Sequence, residues 1–170
     1  MTDYLMHYGV KGMKWGIRKD SNESYTLKTK NGEIMTMQRD TGGLLAKSLR
    51  RLSPKIRTEA GKTYYYKLKN ANNKTVGNLQ LYKKNSDEMN VTWGSVNKKH
   101  QGKGYMSAMI EQGEEISRLY GAKKLTAEIV MNSPDMIHIV EKRGYIKKGQ
   151  ILTDDVLDLW GGLQIVEKDL

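Results

Sequence analysis

The segment from Asn97 to Ile110, NKKHQGKGYMSAMI, constrains this chain more than any other. The run EMNVTWGSV before it reads as a strand. The run GKGYMSAMIEQGEEISRLYGA reads as a helix, with Met106, Met109, Ile110, Ile116 and Leu119 roughly on one face and Gly121 as its stop. A strand that enters a helix through two glycines leaves the first helical N–H groups without intrahelical acceptors and presents them together. The helix dipole adds positive potential there, and Lys98, Lys99 and Lys103 add charge. Such a turn is either an anion cradle or plain architecture. It is neither a P-loop nor a dinucleotide fingerprint, because no Gly-Lys-Ser/Thr follows and no third glycine falls in place.

With 170 residues the chain has room for one domain and modest extensions, and a formal net charge of +10 favours an anionic partner or cofactor. The absence of cysteine excludes disulfides, thiolate metal sites and a cysteine nucleophile, so no metal centre is expected and stability must come from packing. No apolar run reaches membrane-spanning length and no secretory signal is visible, so the expectation is a soluble protein made in a cytoplasm without a membrane partner.

Residues 1–20 read as a flexible docking peptide, since Gly9, Gly12 and Gly16 interrupt helical order while Tyr4, Tyr8 and Trp15 alternate with Lys11, Lys14 and Arg18. Residues 21–61 read as a hairpin turning at Asn31-Gly32, then a helix carrying Leu44, Leu45, Leu49 and Leu52 that Pro54 ends or redirects. Residues 62–170 form the main domain. Three strands (KTYYYKLKN, TVGNLQLYKK, EMNVTWGSV) make an antiparallel meander, followed by helix, strand (KKLTAEIVMN, dense enough for burial on both faces), helix (SPDMIHIVEKRG) and closing strands. Ser133 is the expected N-cap of the second helix, Pro134 its first residue and Gly144 its exit. The fold class is α/β, a mixed sheet of antiparallel meander then β-α-β-α-β with flanking helices.

VNKKHQGKGYM resembles the cofactor signature of the GNAT family of N-acetyltransferases, a Q/R-x-x-G-x-G/A turn that binds the pyrophosphate of acetyl-CoA. Gln101, Gly102, Lys103, Gly104, Tyr105 and Met106 occupy the turn, with Met106 replacing the final small residue. Val96, five residues ahead, falls where the family's pantetheine-contacting strand ends. NSPDMIHIVEKRGY is similar to the family's later segment, with Glu141, Lys142, Gly144 and Tyr145 in register and one residue more than the commonest spacing from Asn132. The resemblance covers roughly residues 62–170. HYGVKGMKWGIR is similar to a short tag found on tailed-bacteriophage head and morphogenesis proteins.

The resemblance implies a GNAT-like fold that binds acetyl-CoA between two splayed strands and transfers the acetyl group to an amine of unstated identity. It implies an oxyanion donor on the backbone near Ser95 or Val96. The family's usual tyrosine acid falls at Val140 and a strand glutamate base falls near Asn90, so neither group is present. Glu128, His138 and Glu88 remain as catalytic candidates; each also reads as an ordinary surface residue, and Tyr145 reads as packing. Two function classes follow: a phage N-acetyltransferase, and a virion structural or interaction protein that keeps the fold with little or no catalysis. The tag implies phage head or other virion proteins as partners through residues 4–18, in the host cytoplasm during infection or in the virion. A nucleic-acid partner has the charge in its favour but no aromatic stacking platform or helix-turn-helix pattern.

Overall fold

The structure is a computed structural model that describes residues 23–29, 31–42, 61–154, 158 and 161–170. The docking peptide and the helix expected around residues 44–52 lie outside the described residues. The elements run β1 (Ser24–Lys28), β2 (Ile34–Asp40), β3 (Thr63–Lys69), β4 (Thr75–Lys83), β5 (Glu88–Val96), α1 (Tyr105–Leu119), β6 (Lys124–Val130), α2 (Pro134–Lys142), β7 (Ile146–Leu152) and β8 (Leu163–Asp169). They build one eight-stranded sheet in the order β1-β2-β3-β4-β5-β6-β8-β7. Every pair is antiparallel except β5 with β6, which α1 connects as a crossover. This is the mixed α/β architecture the sequence pattern predicts. The hairpin ahead of residue 62 is no appendage, since β2 pairs along β3 and lies in the same sheet.

Alternation on the meander buries one face. Tyr64, Tyr66 and Leu68 of β3 lie beside Leu79 and Leu81 of β4, and Met109 and Ile116 of α1 are buried in the same core. With no phenylalanine in the chain, Met35, Met37, Met89 and Met109 fill the irregular space between sheet and helix. Gly113 lets α1 approach closely, because a Cβ there would come within 3.2 Å of Leu79.

Three polar anchors fix α1 along its length. At its start the Tyr105 hydroxyl donates to Glu33 at 2.6 Å. In its middle the buried Glu114 accepts from Arg143 at 2.9 Å twice and from Lys168 at 2.8 Å. At its end Tyr120 donates to Glu23 at 2.7 Å, and Arg39 donates to the same oxygen at 2.8 Å. Burial by itself would raise the Glu114 carboxyl, but the hydrogen bonds and charges of Arg143 and Lys168 outweigh it and hold the group below its ordinary range.

Some local expectations are revised. Leu119 is 59% exposed, because Tyr120, four residues after Ile116, takes the inward position that closes the helix face. Gly121 and Gly144 do end their helices, at φ 81° in each case. Ser133 sits before Pro134 but makes no side-chain cap bond. The first hairpin closes between Thr29 and Glu33, a longer loop than a two-residue Asn-Gly turn, with Gly32 at φ 80°. β6 is buried on both faces as expected up to Ala127, but Glu128 on the same strand is exposed.

Candidate active site

β5 and β6 pair over only four rungs, from Glu88 with Lys124 to Val91 with Ala127. The next residue, Thr92, is an extra residue in β5: Gln80 of β4 pairs with Trp93 and Leu81 pairs with Val91. A bulge bends its strand and strengthens the local twist, so β5 leaves β6 at this point. From there to Val96 the edge of β5 that faces β6 has no strand partner among the described residues, while its other edge stays paired to β4. The bulge also reverses the alternation, so that Val91 and Gly94 face the helices while Trp93 and Ser95 face outward.

The gap holds a cavity of about 490 Å³ lined by Trp93 and Gly94 of β5, Glu128 of β6, Met106 and Ile110 of α1, and Val140 of α2. A second cavity of about 400 Å³ lies at the glycine turn, lined by Val96, His100, Gln101, Gly102, Gly104 and His138 among others. Met106, Ser133 and Met136 line both, so the cavities are neighbours separated by the two methionines. Volumes of this order are those of small-molecule sites.

The turn itself has the geometry of a cradle. Gly102 and Gly104 have φ of 76° and 79°, and an added Cβ at either would meet nothing within 4 Å. The turn is therefore open on the side where those Cβ atoms would stand. Gln101 folds back to donate to the Val96 carbonyl at 3.2 Å, which ties the turn to the strand end. Gly104 is the N-cap of α1 and offers no side-chain cap, leaving the first N–H groups of the helix available to an anion. Lys103 is exposed beside them.

Tyr105 contributes backbone only, since its buried ring stacks near His100 at 6.1 Å and its hydroxyl is committed to Glu33. Loss of water contact and the Glu33 carboxylate push that hydroxyl up to about 12, so it stays a donor. Met106 is less obstructive than its size implies, because it lies flat against Gly94, where a Cβ would meet its sulfur at 3.3 Å.

The catalytic candidates are not brought together. Glu128 lines the cavity between the strands, whereas His138 lines the cavity at the turn. Glu88 lies at the closed end of β5, ion-paired to Lys84 at 2.9 Å. At the two positions that the family resemblance assigns to a base and an acid, Asn90 is buried and donates to Thr126 at 2.9 Å, and Val140 is packed in the core. Tyr145 is buried and its hydroxyl has no hydrogen-bond partner among the described residues. Burial, with Glu114 nearby, raises its pKa far above that of a free tyrosine, in keeping with a packing role. Among the described residues, Glu128 has no hydrogen-bond or ion-pair partner. Sequence reasoning passed over Trp93, because strict alternation puts it on the face of Val91. The glycine beside it was the only local signal of an irregular strand.

The model of the acetyltransferase (GNAT) family matches residues 33–145. The chain belongs to the GNAT acetyltransferase family. Acetyl-CoA is the cofactor of this family, and the open glycine turn and unpartnered strand edge fit it. Solved structures agree on the fold. A GNAT acetyltransferase from Elizabethkingia anophelis with acetyl-CoA bound is 18% identical, with 80% of this chain and 98% of that one covered and a TM-score of 0.62. The IAA acetyltransferase of Bacillus cereus is 17% identical, covering 80% and 99%, with a TM-score of 0.60. The spermidine N-acetyltransferase of Vibrio cholerae is 12% identical, covering 79% and 93%, with a TM-score of 0.61. No curated protein matches the chain. Residues 1–22 match a family of unknown function, DUF7211. Among the described residues no helix is long and apolar enough to cross a membrane, and no cluster of metal-ligating side chains occurs.

Proposed function

We propose that this chain is an N-acetyltransferase that accepts an amine from the sheet face opposite α1 and α2. The observation that carries this reading is the cavity between β5 and β6. It is lined both by residues of the helix side, Met106 and Val140, and by outward-facing residues, Trp93 and Glu128. Bound acetyl-CoA supplies an activated acetyl thioester. The N–H groups of Gly102, Lys103 and Gly104 hold the pyrophosphate, and Lys103 adds charge. The free edge of β5 near Ser95 and Val96 places backbone N–H groups where negative charge develops during acyl transfer. Glu128, exposed at the gap and without a partner among the described residues, would receive the proton of the attacking amine as the C–N bond forms and the C–S bond breaks, with CoA leaving as a thiolate that takes its proton from solvent.

Titration calorimetry with acetyl-CoA and with CoA tests the site, and saturable micromolar binding is expected. The absence of binding defeats the reading. With turnover established, Glu128→Gln lowers kcat by about a hundredfold or more if it is the base; an unchanged kcat removes that role.

A second reading is favoured by Asn90 and Val140, which stand where the family resemblance implies a base and an acid: a GNAT-fold virion protein that binds the cofactor without efficient turnover. Binding of acetyl-CoA with no acetylation of any amine supports it. In either reading residues 4–18 dock onto phage head or other virion proteins. Deletion of residues 1–18 then leaves the domain folded and prevents incorporation into particles, whereas normal incorporation removes the docking role.

A further inference from the structure

The sheet face away from α1 and α2 carries a row of side chains set by the strand register. Tyr65 of β3 pairs with Gln80 of β4, and Gln80 pairs with Trp93 of β5. Paired antiparallel residues point to the same side, and the bulge at Thr92 brings Trp93 into this row. Trp93 is 63% exposed and Tyr65 is 43% exposed. Neither ring has a stacking partner or a cation over it among the described residues. Glu128 stands on the other side of the gap and on the same face, since Thr126, two residues earlier on β6, bonds outward-facing Asn90.

Several charges near the row are paired, while Lys69, farther along β3 on the same face, has no partner among the described residues. Lys67 pairs with Asp40 at 2.7 Å, Lys148 pairs with Glu167 at 2.9 Å, and Lys84 pairs with Glu88 at 2.9 Å. Glu128 alone among these acidic groups has no cation. On a chain of net charge +10, this mouth therefore combines an unbalanced carboxylate with two bare aromatic faces. An ammonium group gains from both features, a carboxylate and an aromatic face; an anion is repelled by the first, and a neutral donor can hydrogen-bond to the carboxylate but lacks the cation–aromatic attraction. The two rings lie two strands apart, about 10 Å, so one small group does not cover both.

Resting on the acetyl-transfer reading of the cavity, we propose that the acceptor is an aliphatic amine bearing a second positive charge. Its reacting nitrogen enters the gap beside Glu128, and its distal ammonium lies along the row from Trp93 to Tyr65.

The test is calorimetric titration of CoA-saturated protein with pentane-1,5-diamine and with 1-aminopentane, which has the same chain length and no second charge. The diamine is expected to bind at least about tenfold more tightly, and Trp93→Ala and Tyr65→Ala each weaken it by about three- to tenfold, in the range of a cation over an aromatic face. Both residues are exposed, so the variants fold, and CoA affinity in Tyr65→Ala is unchanged. Equal binding of the two amines, or a diamine affinity indifferent to both substitutions, overturns the inference while leaving the cofactor site intact. Failure of CoA itself to bind instead overturns the site reading on which it rests.

Discussion

Gly104→Ala separates the two meanings of the glycine turn. The residue sits at φ 79°, and a Cβ there meets nothing within 4 Å. In the unliganded protein the substitution therefore creates no clash, and its cost is the left-handed backbone alone, about 1 kcal/mol. For a chain of this size that corresponds to a fall in Tm of about 2–4 °C. If the turn holds the pyrophosphate as proposed, the methyl group takes up space on the open side of the cradle and competes with a phosphate oxygen for the N–H groups of α1. Loss of one hydrogen bond to a charged oxygen costs about 2 kcal/mol, or about 30-fold in Kd for acetyl-CoA. Calorimetry and a thermal melt on the same preparations read both quantities. Gly104→Glu adds a negative charge at the same place and abolishes binding. A melt that shifts as predicted with an unchanged Kd means the turn serves only the fold, and the anion-cradle argument is wrong.

Other outcomes follow from packing and charge. Gly77→Ala places a Cβ 2.7 Å from the Ser95 carbonyl, so β4 and β5 must separate; destabilisation of about 1–3 kcal/mol is expected in urea unfolding. Because Ser95 is at the open edge of β5, acetyl-CoA affinity falls as well, and a neutral effect on both contradicts the strand geometry. Glu114 has a folded pKa held below its unfolded value, so its contribution to stability is complete above the unfolded pKa and is lost as pH falls through the folded one. Glu114→Gln should lower stability near neutral pH by about 3 kcal/mol or more, since Arg143 and Lys168 lose their shared charge partner, and should flatten the acid limb of the stability profile. An acid limb unchanged in the variant means that other carboxylates set it.

Much of this molecule is legible along the chain. The cradle depends on residues next to each other, Gln101 to Met106, and on glycine's access to positive φ, so local chemistry names it. The helix stops at Gly121 and Gly144 and the meander alternation are equally local, and together with the two motifs they determine the mixed sheet and the family. The wedge is another matter. Its opening depends on four rungs of parallel pairing ending where Thr92 bulges against β4, a register that exists only once β4, β5 and β6 are side by side. The same bulge turns Trp93 outward, against the strict alternation of a regular strand. Glu128 and His138 are ten residues apart in the chain, yet the fold assigns them to different cavities, because one lies on a strand at the gap and the other on the helix over the turn. Residues close in sequence decided where backbone N–H groups are left open at the start of α1; strand register, which joins distant residues, decided where β5 and β6 part.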